Sequence, residues 1–323
     1  TEKIGRCGKV PSDFIPLSGL LAMYTQIGFN KSAVKLKRSL LILMMIAPAF
    51  IIFTTFVIFP VGQAAYYSLF EWNGLGPLEN FRGVSNFLKA FKHDIFITAL
   101  FNNLQIVVLS ITLQLPTAFL LALLIGRKRF FGSMVFRGFY FFPYVLAEIV
   151  VGIIWKFIYD PEYGIPTAFL QLIGNSERQI GLLGSVDHAF YAIFVVIFWK
   201  YIGFHMILYI AGLQGVPQEL EEAAVIDGAN KFQVVLNVII PSMKSSIMIS
   251  FFLCVIGSFN VFDIVWAMGQ GGPVHSAETL VTYMYNFGFR RFAFGYGSAV
   301  AIVIFLLCLI FNIFYQKYIV AED

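Results

Sequence analysis

The chain has 323 residues, of which 59% are hydrophobic and only 12% charged, and its mean hydropathy is +0.80. Soluble globular proteins carry about a quarter charged residues, so this composition excludes an ordinary soluble domain and indicates a membrane protein. The net charge of +4 is too small to favour nucleic-acid binding, and three scattered cysteines form neither a zinc motif nor a disulfide framework.

The N-terminal segment is polar and mixed in character, and no secretory signal is predicted in its first thirty residues. We expect residues 1–39 to be cytoplasmic, with a helix on the membrane surface over residues 12–30. Residues 40–319 are expected to form one membrane domain, and residues 320–323 a C-terminal tail. Insertion would then depend on the membrane helices themselves.

Six segments of this domain are long and apolar enough to span a bilayer, which takes roughly 20 residues. They are residues 40–64, 95–125, 135–159, 189–213, 247–268 and 299–318. The second is longer than needed, which predicts a tilted or protruding helix. Prolines lie in or beside these spans at Pro48, Pro116 and Pro143, where neighbouring helices can compensate the lost backbone bond.

Lysine and arginine indicate the orientation, because they concentrate in the short loops on the cytoplasmic side of membrane proteins. If six spans alternate, the following fall on one side: Lys31, Lys35, Lys37, Arg38, Arg127, Lys128, Arg129, Arg137, Lys231, Lys244 and Lys317. The outer loops carry fewer, namely Arg82, Lys89, Lys92, Arg178, Arg290 and Arg291. The predicted fold is therefore an all-α integral membrane protein with about six transmembrane helices and both termini in the cytoplasm.

Two predicted outer segments are rich in turn residues. Residues 160–188 contain Pro161, Gly164, Pro166 and Gly174, which predicts an irregular loop with a short helix. Residues 269–273 end in Gly-Gly-Pro and lead to residues 278–291, which we expect to form a short amphipathic helix on the outer surface.

The cytoplasmic loop over residues 214–241 is too acidic to be explained by membrane topology. Pro217 suits the first position of a helix, and acidic residues in the first turn complement the helix dipole. Gly228 suits a left-handed cap, so a short helix is predicted over residues 217–227. A second helical stretch over residues 231–239 follows and ends near Pro241.

Small residues on this loop allow a partner protein to approach closely, and the acidic residues can pair with basic residues of that partner. The alternative is a solvated connector helix without a partner. Composition alone does not decide between a docking helix and a connector.

The loop resembles the coupling motif of permeases in binding-protein-dependent ABC importers: Glu-Ala-Ala, three residues, Gly, nine residues, Ile, one residue, Leu-Pro. The matching residues are Glu222, Ala223, Ala224, Gly228, Val238, Ile240 and Pro241. Four further stretches are similar to maltose-type sugar permeases in the same order, namely residues 137–164, 198–203, 257–272 and 294–299. The resemblance extends over about residues 40–318.

This resemblance implies a permease subunit that forms half of the translocation pathway for a sugar or oligosaccharide and performs no catalysis itself. No nucleotide-binding G-x-x-x-x-G-K-[ST] motif occurs in the chain. We therefore expect no cofactor on this chain, with ATP and Mg²⁺ bound by two partner ATPase subunits. The other expected partners are a second, different permease and an extracytoplasmic sugar-binding protein. The expected location is a bacterial inner membrane.

The resemblance also assigns candidate residues. Contact with the ATPase is expected from Glu219, Glu221, Glu222, Ala223, Ala224, Asp227, Gly228 and Pro241. Polar residues inside spans are costly and usually face the bundle interior, and sugars are held by hydrogen-bonding groups and aromatic faces. On this basis the predicted substrate pathway is lined by Tyr144, Glu148, Tyr201, His205, Tyr209, Gly257, Asn260 and Asp263.

Structural roles are the alternatives for the intramembrane polar residues. Glu148 and Asp263 suit interhelical ties, and His205 suits a packed core histidine whose hydrogen bonds are satisfied. Asn102 and Asn103 are expected to bridge helices. Lys200 would either favour an anionic sugar or extend its ammonium to the lipid headgroups.

Other functional classes remain as alternatives. A secondary transporter would leave the acidic loop without a role, and the chain shows no two-half symmetry. An enzyme embedded in the membrane lacks support, since the chain has only four His and no H-E-x-x-H motif. Within the importer family, a sugar permease fits the matched stretches better than an amino-acid or phosphate permease.

Overall fold

A computed structural model describes residues 31–126, 132–173 and 181–317. The chain divides into two units, residues 1–60 and residues 61–323. In the first unit, residues 31–60 are helical and the side chains of residues 41–60 are largely exposed. The second unit contains the packed helical bundle described below.

The helices are α1 Lys31–Phe53, α2 Phe59–Tyr67, α3 Ser85–Phe91, α4 Asp94–Leu109, α5 Leu115–Gly126, α6 Ser133–Val145, α7 Glu148–Ile158 and α8 Ile165–Leu172. They continue with α9 Ala189–Gln214, α10 Gln218–Ile226, α11 Lys231–Val234, α12 Ile240–Ser242, α13 Lys244–Phe259, α14 Asp263–Gly269, α15 Leu280–Met284 and α16 Phe294–Tyr315.

The all-helical membrane fold predicted from the sequence is confirmed. Four uninterrupted segments are long and apolar enough to cross a membrane, namely Leu41–Tyr67, Asp94–Gly126, Ala189–Gln214 and Phe294–Tyr315. Two bent helix pairs, α6 with α7 and α11–α12 with α13, bring the total to six if each pair counts as one span.

Helix α9 is the centre of the second unit. It is apolar on every side, which is typical of a buried helix, and α5, α6 and α13 pack around it. Gly203 sets the approach of α6 to α9, because a Cβ atom at this position would overlap the backbone carbonyl of Tyr140. Because Gly203 has no Cβ atom, the backbones of α6 and α9 can come into contact here.

The described residues include four π-helical turns, and three of them precede a proline by two positions. These turns and prolines are Thr54–Ile58 with Pro60, Ser110–Gln114 with Pro116, and Val235–Ile239 with Pro241. The residue after each turn donates its N–H to the carbonyl five positions earlier. This wider turn accommodates a proline that has no N–H and whose ring would crowd a regular helix.

The predicted span over residues 135–159 is not one helix, since α6 and α7 meet at an angle of 99°. Leu146 and Ala147 are extended between them, with ψ angles of 141° and 137°. The Nζ atom of Lys200 on α9 donates to the carbonyls of Pro143, Tyr144 and Leu146 at 3.3, 3.2 and 2.6 Å. It thereby satisfies carbonyl groups that the end of α6 leaves without helical partners.

The predicted span over residues 247–268 is also interrupted. Helix α13 ends at Phe259, and α14 begins at Asp263 after a non-helical connection. Phe262 has φ and ψ angles of −135° and −62°, outside the helical range. Consequently Gly257, Asn260 and Asp263 do not share one helical face, as the regular i, i+3 spacing had suggested.

The predicted surface helix over residues 278–291 is wrong in its placement, because most of this segment is buried. Glu278, Leu280 and Tyr283 are each 0% exposed. Asn102 donates to the carbonyls of Ser276 and Glu278. Asn103 accepts from the N–H of Leu280 at 2.7 Å and donates to the carbonyl of Ser258 at 2.6 Å.

These bonds confirm that Asn103 bridges helices, whereas Asn102 ties α4 to the non-helical backbone that precedes α15. The two side-chain amides pair with backbone groups that the segment would otherwise bury without partners. They therefore hold the segment inside the bundle.

Candidate functional site

Helix α10 lies in the predicted cytoplasmic loop, and its boundaries match the predicted helix to within one residue at each end. Pro217 is extended and precedes the first turn, which contains Glu219 and Glu221. Gly228 follows the helix in the left-handed region with φ +89°. The N–H of Ala229 donates to the carbonyl of Ala224 at 2.9 Å, which closes the C-terminal cap.

The second helical stretch of the loop begins at Lys231 as predicted. Asn230 and Gln233 form a reciprocal capping box at its start, with hydrogen bonds of 2.8 and 2.9 Å. The stretch continues through the third π-helical turn and ends at Ser242, one residue beyond Pro241. The end of α10 and the start of α11 are thus both fixed by local caps, which restrains the short connection between the two helices.

The two alanines of the motif differ in their surroundings. Ala224 packs against the buried cluster at the end of α9, whereas Ala223 is exposed. Leu220 and Ile226, three positions before and after Ala223, are 49% and 84% exposed. We call the three residues Leu220, Ala223 and Ile226 the apolar strip. An apolar strip on a helix outside the bundle is typical of a surface that another protein covers.

Acidic and small residues flank the apolar strip. Glu222 is exposed and accepts a hydrogen bond from Gln218 at 3.0 Å. Glu219, Asp227, Gly228 and Pro241 are exposed as well, while Glu221 is half-buried. Most of the candidate coupling residues are therefore accessible, whereas Ala224 and Glu221 are partly covered.

A cavity of about 220 Å³ lies between the second π-helical turn, α6, α9 and α13. We call it the central cavity. Its lining residues are Ser110, Gln114, Tyr144, Ile197, Tyr201, Phe204, His205, Leu253, Cys254, Gly257, Ser258 and Val261. Four predicted pathway residues are among them, namely Tyr144, Tyr201, His205 and Gly257.

Aromatic rings form one wall of the central cavity. Tyr144 stacks on Phe204 with ring centroids 4.6 Å apart and meets Tyr201 edge-on at 5.9 Å. The hydroxyl of Tyr201 donates a short hydrogen bond to the carboxylate of Glu148. Tyr144 and Glu148 therefore both contact Tyr201. They do not share a face of one helix, because the break between α6 and α7 lies between them.

The other predicted pathway residues lie outside the lining. Tyr209 is 2% exposed and packs edge-on against Phe119 at 5.6 Å. Asn260 donates to the carbonyl of Ile256 in its own helix at 2.8 Å. Asp263 is half-buried at the start of α14. His205 lines the cavity but is 3% exposed, and its Nδ1 lies 2.7 Å from the Ser250 hydroxyl.

Gln114 and Ser110 line the central cavity and were not among the predicted residues. Gln114 is 2% exposed, and its Oε1 has no hydrogen-bond partner among the residues that the structure describes. The available signal was the spacing of polar residues in the second span, because Asn103, Ser110 and Gln114 recur at seven and four positions. Such spacing puts all three on one side of a helix.

Lys200 is buried at 2% exposure, next to the aromatic wall. Its ammonium group has three N–H donors, and the three carbonyls at the end of α6 accept from them. Both predicted roles of Lys200 are therefore wrong. Its ammonium does not extend to the lipid headgroups, and it is not available to an anionic sugar.

Comparison with known proteins places this arrangement among membrane transport components. The profile of the family described as binding-protein-dependent transport system inner membrane component matches residues 114–319. The diacetylchitobiose uptake system permease protein of Streptomyces coelicolor is 35% identical over 270 residues, covering 80% of this chain and 76% of that protein. The trehalose/maltose transport system permease protein of Thermococcus litoralis is 30% identical over 286 residues, covering 88% and 96%.

A solved structure shares the fold. It is the crystal structure of a bacterial ABC transporter involved in the import of the acidic polysaccharide alginate, and it matches with a TM-score of 0.76. The match covers 89% of this chain and 99% of that chain at 22% sequence identity. At this identity the likeness concerns the fold alone.

Proposed function

The chain belongs to the family of binding-protein-dependent transport system inner membrane components, and we propose that its central cavity and helix α10 are the substrate end and the energy-coupling end of one transport unit. The chain is a permease subunit of a sugar ABC importer and forms half of the translocation pathway. Membership of this family sets aside the secondary transporter and the membrane enzyme.

The observation that carries the coupling role is the exposure of the apolar strip on a helix that a left-handed glycine cap ends. We assign this surface to a groove on a partner ATPase. Two ATPase subunits would bind ATP and Mg²⁺, and this chain would bind neither. Glu222 would pair with a basic residue at the rim of the groove, and Ala223 would let the two backbones approach closely.

Chain connectivity explains how movement of α10 would reach the substrate. Helix α10 follows α9 after three residues, and α9 contributes Tyr201 and His205 to the central cavity. On its other side, α10 leads through α11 and α12 into α13, which contributes Gly257. A push on α10 therefore acts on two walls of the cavity at once. Closure of the ATPase pair would open the cavity toward the outside.

The substrate end suits a sugar, because stacked rings and hydrogen-bonding groups occur together at the central cavity. The relatives named for diacetylchitobiose and for trehalose/maltose support a sugar substrate for this chain. An extracytoplasmic binding protein would deliver the sugar, and a second, different permease would supply the other half of the pathway. We place the chain in a bacterial inner membrane with both termini in the cytoplasm.

Native mass spectrometry of the tagged chain, extracted gently from its own membrane, tests this function. The expected species contains this chain, one different permease and two ATPase copies. Recovery of the chain alone or as a homo-oligomer at low detergent concentration would contradict the proposed assembly.

A further inference from the structure

We infer that the central cavity selects an uncharged sugar, and that Gln114 accepts a hydrogen bond from one of its hydroxyl groups. This inference rests on the proposed function and specifies its substrate class. Two independent observations lead to it, the unpaired amide of Gln114 and the absence of an available cation at the described part of the cavity.

Gln114 has an unsatisfied hydrogen-bonding group in a place where water cannot readily supply a partner. The side chain is 98% buried, and its Oε1 lies inside a membrane-spanning segment with no partner in the described ranges. Burying such an oxygen without a hydrogen bond is costly, and the cost persists unless a ligand provides the donor. A sugar hydroxyl is a suitable donor, and it also accepts from the amide N–H groups.

Gln114 belongs to the cavity wall through an irregular part of its helix. Gln114 is the last residue of the second π-helical turn, which also contains Ser110, and both residues line the cavity. Pro116 follows two positions later. π-helical turns occur frequently at functional sites, because the additional residue reorients the neighbouring side chains.

The charges around the cavity disfavour an anion. Its described lining contains neither lysine nor arginine. Lys200 lies behind the aromatic wall, with its three donors directed at backbone carbonyls. The Lys200 ammonium lies 5.6 Å from the Tyr201 ring centroid and 5.8 Å from that of Tyr144, but Lys200 is not among the lining residues. The carboxylate of Glu148 accepts a hydrogen bond from Tyr201 and adds a negative charge behind the same wall. A uronate or a phosphate would therefore enter without a counter-charge from this chain.

The fold match does not decide the charge of the substrate. The solved importer acts on an acidic polysaccharide, yet its likeness to this chain extends only to the fold. The side chains at the cavity determine which sugar is accepted.

Direct binding to the purified permease–ATPase complex tests the inference. The binding protein is omitted, because its own selectivity would mask that of the cavity. Equilibrium dialysis would use radiolabelled maltose and diacetylchitobiose as neutral probes. Maltobionate, the acid derived from maltose, and an alginate disaccharide would serve as anionic probes. We expect at least one neutral probe to bind about tenfold more tightly than either acid.

Two variants then test Gln114 itself. Gln114→Leu keeps the size of the side chain but removes the acceptor, and should weaken binding of the neutral sugar about tenfold. Gln114→Glu retains acceptor oxygens and should bind within about threefold of the wild type. The control is Leu113→Ala at the adjacent position, whose side chain is 50% exposed and does not line the cavity. It should leave binding unchanged.

The possible results separate the inference from the proposed function. Equal or tighter binding of an acidic probe, or unchanged binding by an assembled Gln114→Leu complex, would overturn the inference and leave the sugar importer intact. Failure of every probe to bind an assembled complex would overturn the sugar assignment as well.

Discussion

The ammonium of Lys200 donates to the carbonyl oxygen of Leu146 at 2.6 Å, across 54 positions of the sequence. This bond ties the centre of α9 to the break between α6 and α7. The same break lies between Tyr144 and Glu148. Tyr144 contacts the ring of Tyr201, and Glu148 accepts a hydrogen bond from its hydroxyl. Lys200 thus fixes the backbone on which the aromatic wall of the central cavity depends.

Replacement of Lys200 by methionine should destabilise the complex. The change keeps most of the side-chain volume but leaves buried carbonyls at the end of α6 without donors, at a net cost of about 2 kcal/mol. We expect a lower midpoint of thermal unfolding and weaker sugar binding. Lys156→Met is the matched control, because Lys156 is exposed. Similar midpoints for the two variants would show that Lys200 does not stabilise the break.

Replacement of Glu222 by alanine should uncouple ATP hydrolysis from transport. Loss of one charged partner at a protein interface typically costs more than 1.4 kcal/mol, so sugar-stimulated hydrolysis should fall about tenfold. The measurement is the ATPase rate of the complex in liposomes with its binding protein. Glu162→Ala in the predicted outer loop removes an equally exposed acid and should have no effect. Unchanged coupling and assembly in Glu222→Ala would exclude the proposed ion pair.

Substitutions at Gly228 should act through the backbone alone. A Cβ atom there would meet nothing within 4 Å, but the φ angle of +89° is strained for an L-residue by roughly 1–2 kcal/mol. Asparagine tolerates this region better than alanine. We therefore expect ATPase stimulation to decrease in the order wild type, Gly228→Asn, Gly228→Ala. Hydrogen exchange over residues 218–242 should increase in the same order. Equal behaviour of the two variants would contradict a backbone effect.

The stability of the bundle near the start of α4 should depend on pH through His93. Burial lowers the pKa of His93 below its ordinary value of 6.5, and the Arg291 guanidinium adds to this effect. Because the unfolded chain binds the proton more tightly, stability is full above about pH 6.5 and is lost as the pH falls below it. The thermal midpoint should therefore fall between about pH 7.5 and 5.5.

A histidine variant isolates the contribution of His93 to this pH dependence. His93→Phe removes the titrating group while retaining a ring beside Phe287, which lies 5.0 Å from the His93 ring. This variant should lose part of the pH dependence. His188→Phe changes an exposed histidine and serves as the control. Identical pH profiles for wild type and His93→Phe would refute the assignment.

The loop with α10 was predictable because its determinants are local. Pro217, the acids that follow it and Gly228 each act on the backbone within a few positions of themselves. No distant residue is needed to start or end this helix. The span count was predictable for a similar reason, since length and apolar composition suffice to identify a membrane helix.

The helix breaks and the burial of residues 278–284 were not predictable, because distant residues determine them. The break after α6 depends on Lys200, and the burial of residues 278–284 depends on Asn102 and Asn103, which lie more than 170 positions earlier. Apolar composition is the same in a straight and a broken span. The central cavity combines residues from several helices, so the sequence indicated some members of its lining and omitted Gln114.

The π-helical turn at Ser110–Gln114 also changes how the second span should be compared with its relatives. A regular helix advances about 100° per residue, so one added residue rotates everything after it by that angle. Ala118 and Ala122, which pack in the core beyond the turn, would point elsewhere if the helix were regular. Consider a relative that lacks this proline and has a regular helix here. Its residues after this point would face the same directions as in this chain only if it also lacked one residue of the turn. An alignment of this span with that of the relative would then contain a single one-residue gap at the turn.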